Sequence, residues 1–485
     1  LRRTFGLHQE KTRFMTITYN ALSGALAAQA ALNTVSQNLA NQQTKGYTRQ
    51  GVLLQATASD PGTLSAGNGV QVGSLLRFSD SYQLQQMWRA NSAVGVRSQV
   101  QPYLTSLETV MSDDKSSISY GIDNFFKALN AASVDPTSTP LRQQVITTAD
   151  SMAQQINSIY NLTTNQSISV QQQQASILPS LNESLAGIAA LNKQIVSTTG
   201  AGTNTSALMD KREQLIDSVA QQVGVEVVYN PNGSVNVSLK SGEPLVVNDT
   251  ASTLAYVNAG SSAPASLTLT YSNIKFTLDD TKVGGQLGGL GDFRQNTLGP
   301  LQTSIKEIAK QMSDNINAAL TAGYKGNADP AIPGDQGDMG VALLDYNPAS
   351  ATGLLQVASG FKTSDLAFSS NGQPGDSGNL QLLVAIKSQD IQLTSLSGVV
   401  SAVQLGDADT QIVGQLGIIS QQNQAQLATA TTIRSQSEDD WKSTSAVNSD
   451  EEGINLVEFQ NMYQANMKVI AVANTLFDAT LQMFG

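Results

Sequence analysis

Apolar residues recur with helical period at both ends of the chain and switch to strand period only near its middle. From Met15 to Thr44 no residue is charged. Small apolar side chains fall on a heptad there, with Ala21, Ala28 and Val35 in one register and Ala25, Leu32 and Leu39 in the other. That is the spacing of a helix–helix seam. The other face carries Gln29, Asn33, Thr34, Ser36, Gln37 and Asn38, whereas an ordinary surface helix turns charges to solvent. Two readings stay open: a core helix of its own domain, or a helix enclosed by protein on all sides in an assembly. The helix should stop near Asn41, ahead of Gly46. At the far end, Ile454–Phe484 contains neither Gly nor Pro, and Leu456, Tyr463, Ile470, Phe477 and Phe484 repeat every seven residues. Phe459, Met467, Ala473 and Leu481 widen that stripe, predicting a helix of about 46 Å. The two ends share one design and are expected to pair. A lone two-helix coil is marginal in water, because each helix offsets its ordering entropy with a single seam. The ends are therefore expected to be loose in the monomer and ordered on assembly.

Between them, residues 77–225 read as mostly helical. Leu141–Ser197 is long and Gln-rich, and Pro179 should kink or break it. The charges of Leu208–Leu215 look like a solvated face laced with ion pairs. At Val223 the period changes. Val225–Tyr229, the turn Asn230-Pro231-Asn232-Gly233 and Ser234–Leu239 predict a hairpin, the start of a β-rich insertion of five or six short strands ending at Leu278. Gly284–Gly291 lacks the Lys-Ser/Thr of a phosphate loop and the third Gly of a dinucleotide turn, so it reads as a hinge. Phe293–Ala322 is a helix. Residues 323–379 are rich in Gly, Pro and Asp, and Leu380–Trp441, with Ile391, Leu396 and Val403, reads as helices. The acids Ser449–Glu452 read as a solvated run or as favourable charge at a helix N-terminus.

Composition narrows the chemistry. The 485 residues include no cysteine and a single histidine, His8. Thiolate metal sites, Cys nucleophiles, a Ser-His-Asp triad and multi-histidine metal sites are excluded. Charged residues make up 13%, and Lys+Arg 27 against Asp+Glu 38 leaves a net charge of −11. Nucleic-acid binding needs a basic surface, which is absent. No run of about 18 apolar residues exists to span a membrane. Ser, Thr, Asn and Gln fill roughly a third of the chain, against an ordinary globular composition of about 25% charged residues. Residues 1–14 are basic but lead into no apolar run, so they are no secretory signal. They read as an appended or upstream leader, with Met15 as initiator. Asp329, Asp335 and Asp338 lack the spacing of an EF-hand loop and read as an acidic loop. Asp279-Asp280, Glu438-Asp439-Asp440 and Asp450-Glu451-Glu452 supply carboxylates for a glycosidase acting on cell wall. All fall in turns or helix ends, and Trp88 and Trp441 are the only tryptophans. No enzyme and no cofactor are expected.

Asn38-Leu39-Ala40-Asn41, Thr44 and Gly46-Tyr47-Thr48-Arg49-Gln50 resemble the N-terminal motif of bacterial flagellar axial proteins, and the Tyr-Thr-Arg-Gln ending resembles the hook-associated FlgK family. Leu208–Leu215 with Val223–Val227, and Gly285–Arg294 with the following helix, are similar to segments of that family. So is the tail with Asp450-Glu451-Glu452, Asn455-Leu456, Phe459-Gln460, Tyr463, Ala465 and Leu476-Phe477-Asp478, although Ala446-Val447 stands where Gly-Val is usual. Residues 326–375 show no clear likeness and stand where many members carry a further outer domain. The resemblance implies a structural subunit of the flagellum joining hook to filament, exported through the flagellar type III apparatus without a cleaved signal and located outside the cell. It implies self-assembly into a ring, with hook protein and a second hook–filament junction protein as neighbours and an export chaperone at the C-terminal region. The rival readings are another axial protein, hook- or flagellin-like, or a secreted coiled-coil adhesin. The expected fold is mainly α with a β-rich inserted domain, a nested multi-domain rod with its terminal helices paired as a coiled coil. Its expected parts are the leader 1–14; a terminal coiled coil of 15–50 and 445–485; a helical domain of 51–224, 285–325 and 376–444; and a β-rich outer domain of 225–284 and 326–375. The expected assembly interface is Ala21, Ala25, Ala28, Leu32, Val35, Leu39, Leu456, Phe459, Tyr463, Ile470, Phe477 and Leu481.

Overall fold

The computed structural model describes residues 2–58, 67–201, 203–257, 266–329, 331–350 and 353–484, and the side chains of these outside 2–14 and 484. The side chains of His8 and Phe484 thus lie outside the described set. Helix α1 (Arg2–Ala40) leads into a ribbon, β1 (Gln50–Ala56) and β2 (Val70–Arg77). The helices α2 (Ser81–Ser98), α3 (Gln101–Met111), α4 (Ile118–Ala132), α5 (Thr139–Gly200) and α6 (Ser206–Gln222) follow. The β insertion holds β3 (Val225–Tyr229), β4 (Val235–Leu239), β5 (Pro244–Val247), β6 (Thr250–Ala251), β7 (Thr253–Val257), β8 (Ser266–Tyr271) and β9 (Ile274–Leu278). The chain returns through α7 (Gly285–Phe293), a π-turn, and α8 (Gly299–Ala322). Then come β10 (Leu344–Tyr346), β11 (Leu355–Val357), α9 (Gly378–Ala385), β12 (Asp390–Thr394), β13 (Val400–Gln404), α10 (Ala408–Ser445) and α11 (Ser449–Phe484). The architecture is mainly helical, with small antiparallel sheets: β3-β4-β5-β6 and β7-β8-β9 in the insertion, and three two-stranded ribbons elsewhere. The hairpin expected at Asn230–Gly233 pairs Val225 with Leu239 and Tyr229 with Val235.

One hydrophobic core runs from α2–α5 through α7, α8 and the inner faces of both insertion sheets. What fastens strands to helices is amide chemistry. Asn157 on α5 donates Nδ2–H to the Leu355 carbonyl at 2.7 Å and accepts the Leu355 N–H at 2.9 Å. Asn182 holds Leu254 in the same way, Asn192 holds Val235, Asn317 on α8 holds Leu344, and Gln311 holds Gln392. A carboxamide carries one acceptor and two donors, so each replaces one rung of a β-ladder and satisfies a backbone pair that a helix surface would otherwise strand. This is a use for an amide-rich, charge-poor composition. The β10–β11 ribbon of segment 326–375 forms its own sheet and is clipped to α5 and α8 by two of these amides.

Three sequence expectations need correction. Helix α5 runs unbroken for 62 residues with Pro179 inside it; Ile177, Leu178 and Leu181 are buried on either side, and their packing holds a helix that has lost one backbone hydrogen bond. The glycine run is no hinge but the buried helix α7. A Cβ on Gly289 would stand 2.2 Å from the Val96 carbonyl of α2, and one on Gly291 2.6 Å from the Asp280 carbonyl. The glycines let backbones touch. Residues 390–404, expected as helix, form a hairpin in which Ile391 and Leu393 are buried between exposed Asp390 and Gln392, and Gly398 turns at φ 80°.

Candidate assembly interface

Helices α1 and α11 pack along their length and antiparallel: Gly24 lies against Asn466, while Arg49, just past the end of α1, bonds Glu452 near the start of α11. The α1 side of the seam is small, with Ala21, Ala25, Ala28, Ala31 and Val35 all buried. A Cβ on Gly24 would come within 2.6 Å of the Asn466 Oδ1. The α11 side is Glu452, Leu456, Phe459, Tyr463, Asn466, Ile470, Ala473 and Phe477, alternating by four and three residues. Small residues on one helix admit large ones from the other, the knobs-into-holes logic of a heptad seam.

Each helix also has a second apolar face. At 100° per residue, Met15, Tyr19, Leu22 and Leu26 lie opposite the α1 seam and are 65, 67, 48 and 57% exposed. On α11, Ile454, Val457, Val472 and Met483 lie opposite its seam, Val469 and Leu476 stand toward one flank, and all six are exposed. Isolated exposed apolar residues need no explanation, but contiguous stripes mark interaction surfaces.

The pair is fastened to the body by a polar joint. Asn38 closes another amide clamp, on Gln50, at 2.8 and 3.1 Å, and also accepts the Tyr47 hydroxyl at 2.9 Å. Gly46 takes φ 75° and sits against Gln214, where a Cβ would clash. The Arg49 N–H donates to the Ser445 carbonyl, and its guanidinium pairs with Glu451 and Glu452 at 2.5 and 2.8 Å and lies over the Phe78 ring. Arg77 reaches Asp210 at 2.6 Å, Glu213 at 2.5 Å and the Thr48 hydroxyl at 2.9 Å. Burial works against the Arg77 cation, but the charges of Glu213 and Asp210 overcome it and raise its pKa. Burial pushes the Glu213 carboxyl up, against the pull of Arg77. Burial, together with the charges of Asp210 and Glu452, pushes the Tyr47 hydroxyl up to about 12. Arg212 turns the other way, donating to Asn192 and to the Gly233 carbonyl of the β insertion. Helix α6 thus grips the joint with two acids and the insertion with one base. The reading of Leu208–Leu215 as a solvated face is overturned: Asp210, Arg212 and Glu213 are buried. So is Glu452.

Of the expected interface residues, Ala21, Ala25, Ala28 and Val35 are buried in the seam; Leu32, Leu39, Leu456, Phe459, Tyr463, Ile470 and Phe477 are half-buried; Leu481 is exposed. Met467 is exposed too, the second register passing instead through Asn466 and Ala473. Sequence reasoning missed Gly24, Asn466 and the whole joint, as well as the β1–β2 ribbon. Among the described residues, no group of three or more His, Cys, Asp or Glu side chains is arranged to hold a metal ion, and no helix is long and apolar enough to cross a membrane.

Fold and site together define a mainly helical structural protein whose long first and last helices pair with each other. Comparison with known proteins shows what the chain is similar to. Residues 104–334 match the model of the flagellar hook-associated protein FlgK helical domain, and residues 443–483 match the flagellar basal body rod FlgEFG protein C-terminal model. Flagellar hook-associated protein 1 of Escherichia coli K12 is 27% identical over 547 residues, covering 96% of this chain and 99% of that protein. The protein of the same name is 28% identical in Salmonella typhimurium (96% and 99% covered) and 26% identical in Bacillus subtilis (97% and 99% covered). The flagellar hook junction protein FlgK of Burkholderia pseudomallei superposes over 54% of this chain and 47% of its own, with 25% identity and a TM-score of 0.48. The chain is similar over nearly its full length to flagellar hook-associated proteins, and over its helical middle to the FlgK helical domain.

Proposed function

We propose that this protein is the structural subunit that joins the flagellar hook to the filament, assembling as a ring through α1 and α11. Hook protein is its neighbour on one side and a second junction protein on the other. It leaves the cell by the flagellar type III route without a cleaved signal, and an export chaperone engages its C-terminal region. Its work is mechanical rather than catalytic. One observation carries this reading: both terminal helices bury one apolar face against each other and expose a second. A monomer gains nothing from the second face, since hydrophobic burial stabilises only when surface leaves water. Neighbouring subunits supply the missing cover.

The test is Val472→Asp, on the exposed face of α11, in a strain lacking the native gene. The chain should fold and be exported as before, because Val472 is solvent-facing in the single molecule. Hooks should carry no filaments and swimming should be lost, since the charge would be buried unpaired between subunits. Full motility would overturn the proposal.

A further inference from the structure

We propose that a groove between α1 and the β1–β2 ribbon is the socket for the outer face of α11 from a second copy of this chain. The inference rests on the assembly reading above and names the mating surfaces. The groove encloses about 540 Å³, and its apolar walls are Tyr19 and Leu26 of α1 with Val70 and Val72 of β2. The ribbon is pinned beside α1: the Val70 N–H donates to the Ser23 hydroxyl at 3.1 Å, Asn20 donates to the Gly67 carbonyl, and Gly69 has no room for a Cβ against Ser23. A two-stranded ribbon is marginal in water without further cover.

The occupant follows from pattern and charge. Among the described residues, no charged side chain lines the groove. On α11, Val469, Val472, Leu476 and Met483 form a stripe at three- and four-residue spacing, with Ala479 completing the row. Asp478, the only charge between Val469 and Met483, lies well off that stripe at 100° per residue. An uncharged ridge thus meets an uncharged socket on the same molecule. The groove walls Tyr19 and Leu26 lie on the face of α1 opposite its seam with α11, so one copy cannot fill its own groove. Ridge of one copy in socket of the next is a heterologous contact, the kind that generates rings when the rotation closes.

The chain has no cysteine, so introduced thiols are its only ones. Two alleles, Leu26→Cys and Leu476→Cys, are co-expressed in a strain lacking the native gene, and isolated hook–filament structures are oxidised. The expected result is a disulfide-linked species of two chains containing both alleles. It should exceed by at least tenfold the yield when Ser241→Cys, in the insertion, replaces Leu26→Cys. Filaments without the mixed disulfide overturn the socket while leaving the junction role intact, and so does crosslinking to a chain of another mass. Filaments attached to hooks in a strain that expresses no copy of the gene count against the junction role itself. A second route is independent of oxidation. Val72→Asp and Leu476→Lys should each abolish filament attachment alone and restore at least a tenth of it when expressed as separate alleles together. Failure of that rescue, in cells exporting both chains, also overturns the socket.

Discussion

Replacing Arg77 by methionine isolates the charge lattice of the joint. Methionine keeps much of the apolar stem and deletes the guanidinium, which makes hydrogen bonds to Asp210, Glu213 and Thr48. The side chains are 11, 8 and 8% exposed for Arg77, Asp210 and Glu213, so water cannot freely replace what is lost. Breaking a buried ion pair from one side costs about 3–5 kcal/mol; residual exposure places this one at the lower end, near about 3 kcal/mol. The pH dependence has a definite sign. Burial already pushes the Glu213 carboxyl up, and without the cation nothing at this site offsets that push. Stability from such groups is present below the unfolded pKa and is lost as pH rises through the folded one. The deficit of Arg77→Met should therefore be largest at pH 7 and shrink toward pH 5. Urea unfolding followed by the fluorescence of Trp88 and Trp441 reads it, Trp441 standing with Asp210 and Glu213 around one small cavity. Adding Asp210→Asn and Glu213→Gln should recover most of the loss. A deficit below about 1 kcal/mol at pH 7, or one that does not change with pH, would refute the reasoning.

Asp409 is buried between the starts of α4 and α10, accepts the Ser119 N–H and hydroxyl on one oxygen, and has no partner on the other; burial pushes its pKa up. The wild type should lose stability as pH rises through that raised value, and melting curves from pH 4 to 7 should show Asp409→Asn gaining on it steadily. Asn157→Ala leaves both polar groups of Leu355 unpaired, a loss of about 3 kcal/mol that hydrogen exchange should localise to the β10–β11 ribbon. Gly289→Ala should cost at least about 3 kcal/mol, because the obstruction is the backbone of α2, and soluble yield at 37 °C should fall with it.

The terminal seam was legible because a 3.5-residue period needs only one helix to be visible. Its second register was misread where bulk was preferred to spacing: Met467 was expected in place of Asn466, whose complement is the bare backbone of Gly24. Arg49 and Glu452 are some 400 residues apart, and Arg77 is 133 from Asp210. No local pattern marks such partners, so buried acids on α6 looked like an ordinary solvated face. The Gly284–Gly291 run failed for a related reason. A glycine that permits a close crossing and a glycine that permits bending are the same letter, and only the neighbouring helix distinguishes them. The hairpin at 390–404 was lost to the helical periods on either side of it.

Helix α5 is also a ruler. Asn157 and Asn182 clip the β10–β11 ribbon and the β7 strand to it roughly 38 Å apart, within about 20° of the same azimuth. Both the separation and the phase of these attachments are therefore set by a residue count. Inserting one residue between them would swing the β insertion about 100° around the shaft relative to the ribbon, with a rise of only about 1.5 Å. Inserting seven would lengthen the shaft by about 10 Å and misalign it by only about 20°. Length changes of seven or eleven residues in this stretch, each about 20° out of phase, should be tolerated best and four, about 40° out, next, while single-residue changes disrupt the body on both sides.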